Sequence, residues 1–249
     1  MKNKRFESIK NQLVTYIDLF QESINNYLDF KSLKFDSFPT FNYTTEDFAS
    51  SVEMVSALRE HIISNDIKLN IEQYFWIINK WGGIESFKNT DKNQVRINIF
   101  SNQLEKRKLT GDSFSVISSL SKIASFQDPE NYFVYDSRTI YTLNWLLLKS
   151  KLHDAFYFPM PESRNSKLTL FDLNTIIAYR NKERIFTESK KYTIKPILLD
   201  YQTAYFEYCD LIKYLHKHIL QDQPIWFIEI LLFTIADNII FKEVKDLYI

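Results

Sequence analysis

Three glycines serve a chain of 249 residues. Glycine lets a backbone enter tight turns and positive φ without a steric penalty. A doubly wound sheet or a barrel of this length spends many more of them at its turns. Neither a G-x-G-x-x-G fingerprint nor a phosphate-cradling G-x-x-x-x-G-K-[ST] loop is present. The apolar residues instead recur at helical spacing. Phe6, Ile9, Leu13, Ile17, Phe20, Ile24 and Tyr27 step by three and four, which predicts an amphipathic helix over residues 4–29. Thr44 and Asp47 have capping-box spacing ahead of a stripe of Phe48, Val52, Val55, Leu58 and Ile62. Asn70 is placed to cap a third helix, Ile71 to Trp81, which Gly82-Gly83 ends. Further helices are expected near 92–107, 113–126, 137–150, 171–180, 201–220 and 224–242. Tyr132–Tyr135 and Tyr192–Ile194 read as extended connectors, and residues 151–167, with Pro159 and Pro161, as the longest loop. The expected class is all-α. The expected division is an N-terminal helical region over 1–90, a core over 91–150 and a C-terminal helical region over 151–249 that packs back on the core.

Composition excludes several function classes. Lys+Arg and Asp+Glu are equal at 31 each, so a polybasic tail or histone-like binder is excluded, while a local basic groove is not. The single Cys209 forms neither an internal disulfide nor a zinc cluster, which points to a reducing compartment. It lies among Tyr205, Phe206 and Tyr208 and reads as a small buried hydrophobe. The basic start lacks a following apolar run, and the most apolar stretch, Pro224 to Phe241, is interrupted by Glu229, Asp237 and Asn238. The expectation is a cytoplasmic monomer without a membrane segment. His216 and His218 lie two apart on a helix and face different ways, so no metal or other cofactor is expected. Glu229 and Asp237, eight apart on one helical side, read as a buried contact between helices.

Chemistry concentrates in the middle of the chain. Ser118-Ser119-Leu120-Ser121-Lys122-Ile123-Ala124-Ser125-Phe126 is followed by Asp128-Pro129, an aromatic connector, and Asp136-Ser137-Arg138. A short helix is expected to carry Lys122 near its start and to end at Asp128-Pro129, and Asp136 or Ser137 caps the next helix. Lys122 and Asp136 are fourteen residues apart, a length over which a helix–loop–helix brings two helix starts together. An amine becomes a nucleophile when desolvation favours its neutral form, and a neighbouring carboxylate opposes that shift. A carboxylate at a helix start also supports positive charge developing on a sugar ring. Lys with Asp is therefore a tool for breaking an N-glycosidic bond. Taken singly, the same residues read as a solvated surface lysine and an ordinary helix cap.

The run Ser-Lys-Ile-Ala-Ser-Phe, followed by Tyr-Phe-Val-Tyr-Asp-Ser-Arg, resembles the helix–hairpin–helix DNA glycosylases, in particular their 8-oxoguanine glycosylase-like branch. The match covers residues 113–146. Trp81-Gly82-Gly83-Ile84, Phe158-Pro159 and Arg164-Asn165 are similar to features of its small bacterial members. The resemblance implies a two-lobed helical fold, duplex DNA bearing a damaged or modified base as partner, Lys122 as Schiff-base nucleophile and Asp136 as the catalytic acid group. The family's hairpin is usually Gly-rich where it meets a phosphate; here Ser119 and Ser121 would supply hydroxyls instead. Arg138 and the cluster Lys106, Arg107 and Lys108 are further candidates for DNA phosphates. Trp81, Tyr132 and Tyr135 are candidates to wall a pocket for an everted base. Two alternatives stand beside this reading. One is a nucleic-acid-binding module on the same scaffold without catalysis. The other is a helical interaction protein, including one in a bacterial defence assembly, in which Lys122 and Asp136 form a structural ion pair.

Overall fold

The computed structural model describes residues 2–19, 38, 51–163, 165–189 and 193–247. Phe20, Ile24, Tyr27, Thr44, Asp47, Phe48, Arg164, Lys190, Lys191 and Tyr192 lie outside them. Every extended regular element among the described residues is helical. They are α1 (Lys2–Leu13), α2 (Ser51–Ser64), α3 (Ile71–Phe75), α4 (Asp91–Lys106), α5 (Gly111–Ser115), α6 (Ile117–Gln127), α7 (Ser137–Lys149), α8 (Ser166–Leu170), α9 (Leu173–Arg180), α10 (Lys182–Ser189), α11 (Tyr201–Ile219), α12 (Phe227–Ile235) and α13 (Phe241–Asp246). Two of these run into π-helical turns, Trp76–Trp81 after α3 and Ala236–Ile240 after α12. The lone β contact among the described residues is a bridge between Tyr157 and Leu198. None of the described helices is long and apolar enough to cross a membrane.

Local chemistry sets most boundaries. Asn70 accepts from the Gln73 N–H, and the Gln73 side chain accepts from the Asn70 N–H, closing a capping box. Thr90, Thr110, Asn165, Asp172 and Asp200 cap α4, α5, α8, α9 and α11 through their side-chain oxygens. The expected helix over 113–126 is instead two helices. Val116, at φ −122° and ψ 24°, leaves helical geometry between α5 and α6. The expected helix over 224–242 is likewise interrupted, by the second π-helical turn.

Helix α7 is buried from Thr139 to Leu147 without a break, the signature of a helix enclosed on all sides. It packs against α1, α9, α12 and the second π-helical turn. The main core collects buried residues from Phe6 to Val244 around it. A smaller cluster, with Leu58, Ile62, Ile77 and Phe126, joins α2 and α3 to α6. The loop after α7 is held by Asn144, whose amide donates to the Phe158 carbonyl at 2.8 Å and accepts from the Phe158 N–H at 2.9 Å. Cys209 is buried among the aromatic residues of α11, and burial pushes its thiol up to about 12. It stays a thiol at neutral pH.

Candidate active site

The connector from Tyr132 to Asp136 has no strand partner, so its polar backbone groups are satisfied by side chains from elsewhere. The Val134 N–H donates to Glu229 Oε2 at 2.8 Å, and the Val134 carbonyl accepts from the Tyr208 hydroxyl at 2.7 Å. The Tyr135 N–H donates to Ser121 Oγ at 3.0 Å. That last bond joins residues fourteen apart, and their successors in sequence are Lys122 and Asp136. Ser121 thus fixes the register between α6 and the connector, and both successors come to line one cleft of about 500 Å³.

Lys122 sits in the middle of α6, not near its start. It is 7% exposed, and its amine has neither a hydrogen-bond acceptor nor an ion-pair partner among the described residues. The amine lies 5.3 Å from the centre of the Trp81 ring. The side chain runs across Gly82, where an added Cβ would fall 2.5 Å from Lys122 Cδ and 2.8 Å from Cε. Gly82 has an ordinary helical φ of −78°, so close approach is what requires glycine there. Gly83, at φ +64°, supplies the left-handed residue that ends the helix. Burial pushes the Lys122 pKa below its usual 10.5. The Asp136 and Glu229 carboxylates act against that shift, and Arg138 and Arg59 add to it.

Asp136 is the N-cap of α7. Its Oδ1 accepts from the Thr139 N–H at 2.9 Å and from the Thr139 hydroxyl at 2.8 Å, while the Asp136 N–H donates to Thr139 Oγ1 at 3.2 Å. Its Oδ2 accepts nothing from the described residues. One oxygen therefore anchors the carboxylate and the other is left for a ligand in the cleft. Ser118 and Ser119 from the start of α6, and Arg138 from the first turn of α7, also line the cleft, as do Arg96 and Asn165. Helix α6 begins without a side-chain cap, and Ser118 Oγ is enclosed without a partner.

Other residues singled out in the sequence lie elsewhere. Ser121 is fully buried and its hydroxyl is occupied by the Tyr135 N–H, so it holds the fold rather than a phosphate. Tyr135 is a core residue: its ring packs on Phe114, Tyr205 and Tyr208, and its hydroxyl donates to the Pro159 carbonyl at 2.8 Å. Tyr132 is half-buried and stacked on Tyr205. Neither tyrosine lines the cleft. Trp81 does not line it either; its ring backs the Lys122 amine and meets Phe126 edge-on at 4.8 Å. Lys106, Arg107 and Lys108 are exposed but outside the cleft. Arg107 pairs with Asp210 at 2.8 Å and lies over the Phe206 ring of α11. Of the charged candidates, Lys122, Asp136 and Arg138 come together, with Ser119 beside them.

Sequence reasoning gave no signal for Arg59. It is fully buried, pairs with Glu229 Oε1 at 2.5 Å, and lies over the rings of Phe126, Trp226 and Trp81 at 5.1, 5.6 and 5.9 Å. Because Glu229 also holds the connector, Arg59 bears on the site from behind. His216 Nε2–H donates to the Gln223 carbonyl at 2.7 Å, and no group of three His, Cys, Asp or Glu side chains among the described residues is placed to hold a metal ion. No protein-family model matches the chain, and no curated protein or solved structure is similar to it.

Proposed function

We propose that the protein is a DNA glycosylase with lyase activity, which removes a damaged or modified base of the 8-oxoguanine kind through a Schiff base on Lys122. The observation that carries this reading is the enclosed, unpaired Lys122 amine on a cleft wall that it shares with Asp136. An amine that burial shifts toward its neutral form has a lone pair available. It attacks C1′ of an everted nucleotide. The N-glycosidic bond breaks, its electron pair leaves with the base, and the base takes up a proton. The C1′–O4′ bond then opens, its electron pair goes to O4′, which takes up a proton, and the nitrogen gives up its protons as the C1′=N imine forms. Removal of a C2′ proton then expels the 3′ oxygen and cuts the strand. Asp136 Oδ2 faces the positive charge that develops on the sugar, and the Thr139 bonds keep the carboxylate from swinging away. Ser119 and Arg138 supply polar contacts at the cleft, and Lys106 and Lys108 are exposed cations for phosphates farther along the duplex.

The test is borohydride trapping on duplexes holding 8-oxoguanine or an abasic site. A covalent complex is expected with the native chain and none with Lys122→Ala. Asp136→Asn keeps a helix cap and lowers trapping on the base-containing duplex by about a hundredfold. Absence of any complex across a panel of lesions overturns the lyase reading. The commitment of Asp136 Oδ1 to a capping box favours a second reading, a DNA-binding module without base release. Under that reading Asp136→Asn leaves DNA retention intact and no base is freed.

A further inference from the structure

Two arginines line the cleft, and they are used differently. Arg96 places Nε and Nη2 on the two oxygens of Asp112, at 2.8 and 2.5 Å, so its fork is closed by a carboxylate. Arg138 donates only Nε–H, to Asp237 Oδ2 at 2.6 Å. Both of its terminal nitrogens have no partner among the described residues, and a third of its side chain is exposed. Its guanidinium lies 4.7 Å from the centre of the Phe233 ring, which adds a second support. The carboxylate behind it is itself held. Asp237 is 9% exposed, and its Oδ1 accepts from Asn165 Nδ2 at 2.7 Å. Asp237 also sits in the π-helical turn Ala236–Ile240, an irregularity often found where a helix serves a site. An arginine gripped by Nε alone presents two parallel N–H groups, the geometry that receives a phosphate in bidentate fashion. Arg138 and Lys122 line the same cleft, so fork and amine share one small space.

We infer that Asp237 and Asn165 hold Arg138 as a phosphate anchor beside Lys122, so that the electrophile received by this cleft is a sugar aldehyde carrying a phosphate. The inference rests on Lys122 being the reactive amine of the proposed function. The amine nitrogen bonds to the aldehyde carbon, the carbonyl oxygen leaves as water, and the resulting imine stays in place while the phosphate oxygens accept from the two terminal nitrogens of Arg138. An abasic site in a DNA strand and a free sugar phosphate share this chemistry. Arg138 would be the binding residue; Asp237 and Asn165 act through it and are positioning residues.

The experiment uses the full chain with cyanoborohydride, which reduces the imine to a stable secondary amine by delivering hydride. The probes are 2-deoxyribose 5-phosphate, 2-deoxyribose and an abasic duplex, and labelled lysines are located by peptide mass spectrometry. Labelling of Lys122 is expressed relative to exposed lysines such as Lys106 in the same sample, which cancels the different open-chain fractions of the sugars. The phosphorylated sugar is expected to favour Lys122 by about tenfold over deoxyribose, the effect of one charge-assisted pair. Arg138→Gln brings that preference close to one, Asp237→Asn lowers it about threefold, and Arg138→Lys restores part of it. Stronger labelling by the abasic duplex identifies a DNA strand as the source of the phosphate; labelling by the free sugar phosphate alone identifies a small metabolite. A native preference near one, or a preference unmoved by Arg138→Gln in a chain with native circular dichroism, overturns the inference. If none of the three probes labels Lys122, the amine reading fails, and the anchor is judged by the phosphorus resonance of deoxyribose 5-phosphate. Broadening that disappears in Arg138→Gln supports the anchor, and broadening that persists, or never occurs, overturns it.

Discussion

A methyl group at position 82 has nowhere to go. It would meet the Lys122 stem at 2.5 Å and the Ile78 carbonyl oxygen at 2.7 Å, and backbone does not yield as a flexible side chain does. Gly82→Ala is therefore expected to displace the amine and reduce trapping at Lys122 by at least about tenfold, since an ångström of misplacement has consequences of that order or larger. Lys122 itself weakens the fold at neutral pH. Its pKa is lowered in the fold, so below that lowered value the fold carries the whole burden of an enclosed ammonium. As pH rises through the folded pKa toward 10.5, the unfolded chain binds a proton that the fold does not, and stability rises with pH. Lys122→Met is expected to stabilise the protein by about 1 kcal/mol or more near pH 7, with the gain shrinking toward pH ~10. Urea midpoints at the two pH values measure it. The same shift makes reductive labelling of Lys122 level off at lower pH than labelling of exposed lysines. The sequence singled out this lysine because of its neighbours in the chain. It could not show the lysine at mid-helix, because that depends on Val116 breaking the helix two residues after Phe114, and nothing in a Ser-Val-Ile run announces such a break.

At the scale of elements, the connector between α6 and α7 does the positioning. Thr139 makes four hydrogen-bond contacts with Asp136, three of them at its hydroxyl. Thr139→Val removes those three and is expected to destabilise by about 1 kcal/mol, a fall in Tm of about 2–4 °C for a chain of this size. It also frees the carboxylate to rotate, so trapping on the base-containing duplex falls with it. Ser121→Ala leaves the Tyr135 N–H enclosed without an acceptor, at a cost of about 1–3 kcal/mol in a urea titration. Much of this scale was legible in sequence. Asn70 and Asp136 cap helices because their short polar side chains reach back to nearby N–H groups, an interaction that spans three residues. Thr139, however, carries neither Glu nor Gln, so the closed box at Asp136 was hidden from the usual capping pattern. The use of Ser121 was equally hidden, because its partner is fourteen residues away.

For the molecule as a whole, one buried ion pair fastens the α2 end to the α12 end behind the site. Arg59→Met leaves Glu229 enclosed and unpaired, and is expected to cost about 3–5 kcal/mol. Arg59→Met combined with Glu229→Gln recovers part of that, because glutamine still accepts from the Val134 N–H without a charge to bury. Equilibrium urea unfolding of the two single variants and the double variant measures the coupling. Under the proposed function, a zero net charge over the chain leaves binding of DNA to local cations, so that binding is expected to fall steeply with added salt in proportion to the few phosphates contacted. Fluorescence titrations at several salt concentrations give that slope.

The order of residues alone determined that this chain is helical, where its best-capped helices begin, and that Lys122 and Asp136 lie close in the chain across one short connector. Apolar periodicity, capping and glycine scarcity act over a few residues, so a linear reading contains them. Tertiary structure alone decided that Tyr135 and Ser121 serve the core, that Trp81 backs the amine rather than walling the cleft, and that Arg138 answers to Asp237, ninety-nine positions away. Those outcomes depend on which surfaces meet once the helices pack, because enclosure and long-range pairing have no local signal in the chain.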